Sequence, residues 1–179
     1  MKKLIIVATI ALATVGAQAQ TYGEIGYTSV TAKDNSGGSS IESSPSAIRG
    51  ILGYELNPHL AIEALVGFGM SDDTIKVKGV NLSSAKLAID SVFGVYLKPK
   101  TKLNEKVEVF GRVGFAEVKG TTTVTGFGSE TSKESSLSFG AGMSYAINPT
   151  TSFNADYMQY LSKDGFKANG FTFGVGFKF

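Results

Sequence analysis

Charged side chains recur inside otherwise apolar stretches of this chain, at positions where pairing with an opposite charge decides what they can do. They alternate with large apolar residues and share their positions with small ones: Glu24, Arg49, Glu55, Glu63, Asp90, Arg112, Asp156 and Lys178. An unpaired buried charge is costly, and one guanidinium can bridge two carboxylates. We therefore predict that Arg49 and Arg112 neutralise the carboxylates of Glu24, Glu63, Asp90 and Asp156. Such a network is either a gate in a narrow ion path or a structural plug, and we favour the plug.

Residues for other kinds of chemistry are few. The single histidine, His59, follows Pro58 in a predicted turn, where we expect it to be solvated. The pair Asp72-Asp73 opens a long polar segment, where two acids would hold a cation only weakly. The absence of cysteine excludes a thiolate metal site and a cysteine nucleophile. No glycine-rich segment lies between a strand and a helix to cradle phosphate. We predict that the protein is not an enzyme and uses no metal or cofactor.

The amino terminus has the pattern of a secretory signal peptide. Lys2 and Lys3 are followed by an apolar stretch of about a dozen residues, and Ala17-Gln18-Ala19 supplies the small residues that signal peptidase requires. This apolar stretch is shorter than the roughly 20 residues of a membrane-spanning helix. We predict a signal peptide over residues 1–19, cleavage before Gln20, and one exported domain over residues 20–179.

Charge balance limits the partners of that domain. The chain of 179 residues carries a formal charge of +2, and both excess cations, Lys2 and Lys3, lie in the predicted signal peptide. Without them, 15 basic residues face 15 acidic ones. A neutral exported domain of this kind does not bind nucleic acid through a basic surface.

The exported domain has a period of two residues, which is typical of β-strands with two different faces. The last segment is the most regular, because five large apolar residues from Phe171 to Phe179 alternate with Gly170, Thr172, Gly174, Gly176 and Lys178. In the less regular segments, five large residues fall on the face that is otherwise small or polar: Ile51, Val92, Tyr96, Met158 and Tyr160. Eight strands are predicted, over residues 21–30, 47–56, 60–69, 86–98, 107–116, 137–147, 152–161 and 170–179.

The connections between these strands alternate in length. Tight turns are predicted at Asn57-Pro58 and Asn148-Pro149, and a somewhat longer one over residues 98–105. Long polar loops without periodicity are predicted over residues 31–46, 70–83, 119–136 and 162–169. Short turns at one end and long loops at the other describe an antiparallel up-and-down barrel that crosses a membrane.

A membrane barrel and a soluble barrel of lipocalin type differ in which face of their strands points outward. The apolar face points outward in the first and inward in the second. The charges lie on the glycine-rich face, and an eight-stranded barrel has a lumen too narrow for rows of phenylalanine. We therefore predict that the large apolar side chains face lipid. Aromatic residues near the strand ends are expected at the membrane interfaces: Tyr27, Tyr54, Phe68, Phe115, Tyr145 and Phe153.

Three motifs resemble a known family in this order along the chain. Gly53-Tyr54-Glu55-Leu56-Asn57-Pro58 is similar to its second hairpin, and Ser144-Tyr145-Ala146-Ile147-Asn148-Pro149 to a later one. Gly174-Val175-Gly176-Phe177-Lys178-Phe179 resembles its carboxy-terminal strand. The family is that of small outer-membrane β-barrels, like the transmembrane domain of outer membrane protein A and its single-domain relatives.

The resemblance carries expectations about particular residues. Phe177 and Phe179 would form the signal that the barrel-assembly machinery recognises. Glu63 and Arg112 match positions of the family's inward charges. Other positions depart from it: Asn154 replaces a frequently basic residue, Ser144 a usually acidic one and Glu24 a basic one. The pairing in the lumen is therefore expected to differ from that of the family.

The sequence and the resemblance together predict an eight-stranded barrel in the Gram-negative outer membrane, surrounded by lipid and lipopolysaccharide. We predict a structural or surface-interaction role, with a lumen plugged by charged side chains and long extracellular loops that could hold a surface ligand. The alternative is a narrow porin-like channel for ions or small solutes.

Overall fold

A computed structural model describes residues 21–34, 41–77, 80–163 and 165–179. The predicted signal peptide and its cleavage site lie outside these residues. Among the described residues, no helix is long and apolar enough to cross a bilayer.

The described chain consists of antiparallel strands joined by turns. Their bounds are β1 Thr21–Asp34, β2 Ile41–Ser43, β3 Ser46–Asn57, β4 Leu60–Ser71, β5 Asp73–Val77, β6 Val80–Lys102, β7 Val107–Val124, β8 Gly128–Ala146, β9 Thr151–Lys163 and β10 Phe166–Lys178. β2 and β5 are short and prolong β3 and β4 at one end of the sheet. The other eight strands form the wall in the order β10-β9-β8-β7-β6-β4-β3-β1.

The sheet closes on itself because the first and last strands pair with each other. β1 and β10 are in register from Tyr22 opposite Lys178 to Asp34 opposite Phe166. Closure leaves no open edge within the membrane, where unpaired backbone groups would cost several kcal/mol each. The fold is a closed eight-stranded antiparallel barrel, as predicted.

The two faces of the wall point in the predicted directions, with the large apolar residues outward and the charged residues of the strand centres inward. The large apolar residues of the wall are exposed on its outer surface, for example Ile25, Phe93 and Phe173 with exposed fractions of 53%, 50% and 63%. The aromatic residues expected at the interfaces are exposed as well: Tyr27, Tyr54, Phe68, Phe115, Tyr145 and Phe153. The charged residues near the middle of the wall are buried and face the lumen: Glu24, Arg49, Glu63, Arg112 and Asp156. An apolar belt of this kind is stable only against lipid.

Asparagine organises the three turns at one end of the barrel. The side chains of Asn57, Asn104 and Asn148 accept hydrogen bonds from backbone N–H groups two residues further along, at 2.9 Å in each case. These Asx turns fix the chain direction locally, as is usual for asparagine. They define the end of the barrel that is periplasmic in outer-membrane proteins.

At the other end of the barrel, part of the chain that was predicted to be loop is strand. Residues 119–136 were expected to be an irregular loop, but β7 and β8 remain paired from Lys119 opposite Lys133 up to Val124 opposite Gly128. β6 also begins earlier, at Val80. Strands of 18, 19 and 23 residues exceed the roughly 9–11 that a bilayer requires. The wall therefore rises beyond the membrane as a sheet, which is favoured by the β-branched run at Thr121, Thr122, Thr123 and Val124.

Candidate functional site

Five of the six charges predicted for the lumen meet at its centre. Alternation along the strands places Glu24, Arg49, Glu63, Arg112 and Asp156 on the inner face of five strands, β1, β3, β4, β7 and β9, and each is at most 5% exposed. Arginine side chains are long enough to reach across a lumen of this width and to contact several strands at once.

Arg49 enters from β3 and holds two carboxylates. Its Nη1 donates to Asp156 Oδ1 at 2.8 Å and its Nη2 to Asp156 Oδ2 at 2.5 Å, which is a bidentate pair. Nη2 also donates to Glu24 Oε1 at 2.5 Å. Bidentate pairing of this type fixes the geometry of both partners.

Arg112 enters from β7 and contacts all three carboxylates of the cluster. Its Nε donates to Glu63 Oε2 at 2.5 Å, and its Nη1 to Asp156 Oδ2 at 2.9 Å. Its Nη2 reaches Glu24 Oε2 at 3.2 Å. Arg49 and Arg112 therefore share Glu24 and Asp156, so the cluster behaves as one network and not as separate pairs.

Lys98 is a member of this network that the sequence prediction missed. Its Nζ lies 3.2 Å from Glu63 Oε1 and over the rings of Tyr22 and Phe110, at 4.8 Å and 4.3 Å from their centroids. With Lys98, three cations balance three carboxylates. The sequence did contain an indication of this position, because Lys98 follows Tyr96 by two residues and therefore lies on the same inward face of the strand. We call the set Glu24, Arg49, Glu63, Lys98, Arg112 and Asp156 the charged layer.

Neutral groups donate further hydrogen bonds to the carboxylates of the charged layer. Tyr22 donates its hydroxyl to Glu63 Oε1 at 2.6 Å, and Asn154 Nδ2 donates to Glu24 Oε2 at 3.0 Å. Asn154, which occupies a frequently basic position of the resembled family, thus serves the network as a neutral donor. Buried carboxylates that accept several hydrogen bonds are much less costly than isolated ones.

Asp90 lies outside the charged layer, which corrects its predicted pairing with the arginines. The pairing of β6 with β7 shifts between Ile89 and Ser91, so that one extra residue is inserted there. A bulge changes which face the following residues occupy. As a result, Asp90 turns away from the lumen and accepts a hydrogen bond from Thr121 Oγ1 at 2.9 Å.

A second, apolar set of side chains fills the lumen beside the charged layer. It consists of Val30, Ile51, Leu65, Ile89, Val92, Tyr96, Ala116, Met158 and Tyr160, all at most 9% exposed. We call it the apolar layer. Along β4 and β9 it lies on the extracellular side of Glu63 and Asp156, whereas on β3 Ile51 lies on the other side of Arg49. The two layers therefore interlock.

The five large residues that broke the alternation in the sequence belong to this apolar layer. A register shift on β9 turns both Tyr160 and Leu161 inward, and Arg49 Nη1 donates to the Tyr160 hydroxyl at 3.1 Å. The space left beside Arg49 and Tyr160 is about 20 Å³, which is little more than one water requires. The middle of the lumen is therefore filled.

His59, Asp72 and Asp73 lie in turns or pair with neighbouring groups. His59 is exposed in the turn between β3 and β4. Asp72 pairs with Lys86 at 3.0 Å, and Asp73 Oδ2 accepts from the backbone N–H of Ser44 at 2.7 Å. Within the part of the chain that the structure describes, no group of three or more His, Cys, Asp or Glu side chains is arranged to hold a metal ion.

The two phenylalanines of the predicted assembly signal lie at the periplasmic end of β10. Phe177 is opposite Gly23 in the closing pair of strands, and the backbone N–H of Phe179 donates to Thr21 O at 3.0 Å. Both side chains are exposed on the outer surface. Their recognition by the assembly machinery remains a prediction.

Several solved structures have a similar fold. Ail, the attachment invasion locus protein of Yersinia pestis, crystallised in complex with the heparin analogue sucrose octasulfate, is 20% identical and superposes with a TM-score of 0.65, covering 91% of this chain and 100% of that one. Neisserial surface protein A is 15% identical, with a TM-score of 0.66 and coverage of 90% and 100%. OprG from Pseudomonas aeruginosa is 14% identical, with a TM-score of 0.64 and coverage of 92% and 98%. These similarities establish the fold alone.

Sequence comparison establishes the family. No curated protein sequence gives a significant match. The family described as "Outer membrane protein beta-barrel domain" matches residues 5–179, which is nearly the whole chain. The closed barrel, its apolar outer belt and its charged lumen agree with that match. The chain therefore belongs to the outer membrane protein beta-barrel domain family of Gram-negative bacteria.

Proposed function

We propose that this barrel has a structural and surface-interaction role in the outer membrane and that its lumen is closed to solutes. The observation that carries the proposal is the pair of interlocking layers in the lumen. An ion on its way through would have to part the guanidinium groups of Arg49 and Arg112 from their carboxylates. Separating a buried ion pair leaves uncompensated charge and is strongly unfavourable.

The apolar layer opposes permeation by a second mechanism. Val30, Leu65, Val92 and Met158 offer a passing ion no replacement for its hydration shell. Hydrophobic constrictions of this kind close pores by excluding water. An ion would have to cross both the charged layer and the apolar layer, which oppose permeation by different chemistry. This supports a plug and not a gate.

The surface role would belong to the extracellular strands. β7 and β8 carry their hairpin beyond the membrane and end at Gly126-Phe127-Gly128, where Phe127 is 93% exposed. A rigid scaffold that displays polar segments is a common basis for binding. Ail was crystallised with a heparin analogue. By analogy of fold, we propose that the extracellular strands of this protein bind a surface ligand.

Export and assembly are part of the same proposal. Residues 1–19 would be removed as a signal peptide before Gln20. Phe177 and Phe179 would then present the last strand to the barrel-assembly machinery. The exposed apolar belt would be covered by outer-membrane lipid and lipopolysaccharide.

Solute flux into liposomes tests the closed lumen. Wild-type protein is folded into liposomes, its folding is verified by the shift in gel mobility on boiling, and swelling is followed after addition of arabinose and of potassium chloride. We expect rates equal to those of protein-free liposomes, while a general diffusion porin gives rapid swelling. Swelling that rises in proportion to the amount of folded protein would show the alternative, a narrow channel.

A further inference from the structure

The periplasmic end of the lumen contains a cavity of about 180 Å³, much larger than the gap between the two layers. It lies between the charged layer and the turns at 103–106 and 147–150. Its volume is many times that needed for one water, so a small organic molecule fits. Because the charged and apolar layers close its inner end, the cavity is a blind pocket that opens to the periplasm. We call it the periplasmic vestibule.

Lysine dominates the lining of the vestibule. β6 contributes three lysines at every second residue on its inner face: Lys98, Lys100 and Lys102. Lys106 from the following turn and Lys178 from β10 complete a set of five, against three glutamates, Glu55, Glu105 and Glu108. Lys98 already balances a carboxylate of the charged layer, so the other four lysines exceed the three glutamates by one positive charge. A cleft of one sign with low-dielectric walls concentrates ions of the opposite sign.

The deep part of the vestibule is built from buried polar groups. Lys98, Lys100 and Asn154 line it and are 4%, 8% and 7% exposed. Lys100 Nζ lies 2.5 Å from Glu55 Oε1 and 3.5 Å from Glu108 Oε2. An ammonium group has three donors, and among the described residues Lys100 Nζ donates one hydrogen bond, to Glu55. Donor capacity therefore remains at the base of the pocket.

The mouth of the vestibule is less well neutralised than its base. Lys102 and Lys106 are exposed and form no ion pair within the described residues. Lys178 is 3.9 Å from Glu55, which is already engaged by Lys100. A cation at the entrance and a donor at the base are the two requirements for holding an anionic group that enters from the periplasm.

We propose that the periplasmic vestibule binds a small anion, a carboxylate or phosphate group of a periplasmic molecule, with Lys100 at its base and Lys102, Lys106 and Lys178 around its mouth. This goes beyond the surface role and depends on the closed lumen only for the inner wall of the pocket. Free phosphate and the carboxylate end of an organic molecule share this recognition chemistry, and the experiment separates them.

The test is an NMR titration of the full-length folded protein in micelles at constant ionic strength, set with sodium chloride. Inorganic phosphate and succinate are the two probes. We expect saturable shifts of backbone amides at residues 98–108 and 150–154 with at least one of them, and none in the extracellular hairpin over 119–134. The probe that binds more tightly identifies the source of the anion.

Charge-matched variants make the test specific. The double variant Lys102→Gln and Lys106→Gln should weaken binding by roughly fivefold or more, because it removes two exposed charges without breaking an ion pair. Lys178→Gln should weaken it to a smaller extent. The control, Lys119→Gln with Lys167→Gln, removes the same charge at the extracellular end and should leave the affinity unchanged.

Three results would overturn the proposal: no saturable shifts with either probe, shifts spread equally over both ends of the barrel, or equal weakening by the mouth variants and the control. Failure here is distinct from failure of the closed lumen. Binding can be absent while liposomes remain tight, and flux can appear while the vestibule still binds.

Discussion

The charged layer and the apolar layer close the same lumen, but they do so with different chemistry. The charged layer joins six strands through six ionised side chains, so every member depends on the others. The apolar layer is a cluster of packed side chains without shared charges, so we expect the loss of one side chain to have a local effect. The first layer therefore fixes the positions of the strands that it joins, and the second fills the remaining space in the lumen.

Arg112→Met should produce the largest effect, because it removes a cation that contacts three carboxylates. Glu24, Glu63 and Asp156 would then share only Arg49 and Lys98. We expect the free energy of unfolding to fall by about 3–5 kcal/mol. Urea unfolding in lipid vesicles measures it. Lys133→Met, which breaks an exposed pair with Glu117, is the control and should change stability by less than about 1 kcal/mol.

Met158→Ala should have a somewhat smaller and purely local effect. Met158 is fully buried in the apolar layer, and its truncation would leave a cavity. We expect a loss of about 3 kcal/mol, measured in the same unfolding experiment. Met143→Ala is the matched control, because Met143 is 52% exposed on the lipid side. If both variants lost the same stability, the inner and outer faces of β8 and β9 would be wrongly assigned.

Tyr160→Phe tests the point where the two layers meet. It removes only the hydroxyl that accepts from Arg49 and keeps the packing of the ring. A hydrogen bond to a charged group contributes about 1.5–3 kcal/mol to stability. Because Arg49 keeps its two carboxylates, we expect the free energy of unfolding to fall by an amount at the lower end of this range. Tyr157→Phe, on the outer surface, serves as control. Equal stability of the Tyr160 variant and the wild type would mean that the layers act separately.

Asp90→Asn should be the mildest change, below about 0.5 kcal/mol, because Asp90 lies outside the charged layer and forms a partly buried hydrogen bond with Thr121. Asp156→Asn changes the same chemical group within the layer and should cost several times more. A similar loss of stability in both variants would place Asp90 back among the partners of the arginines.

The barrel itself was predictable from the sequence because lipid and lumen impose opposite demands on alternate residues. The regular alternation in β10, from Phe171 to Phe179, and the inward Glu63 and Arg112 follow from that constraint. Outside the membrane the constraint ends. The Ser- and Thr-rich segment at 119–136 is polar on both faces, so its sequence does not distinguish a paired hairpin from an irregular loop.

The composition of the charged layer was predictable only in part. Glu63 and Arg112 lie within regular stretches, where alternation gives the face, and Arg49 and Asp156 were placed on the same face in less regular ones. Asp90 was misplaced because a bulge in β6 depends on the register of β7, which no single strand reveals. Lys98 was overlooked because a lysine near a strand end is usually solvated, although its parity with Tyr96 pointed inward.

Ion conductance across a planar bilayer tests the closed lumen most directly. Wild-type protein, Arg112→Ala, Met158→Ala and the double variant are compared after folding is verified by gel mobility. We expect no conductance above that of the bare bilayer for wild type or for either single variant, because one layer still closes the lumen in each, and we expect measurable conductance for the double variant. A steady wild-type conductance that Arg112→Ala leaves unchanged would contradict it.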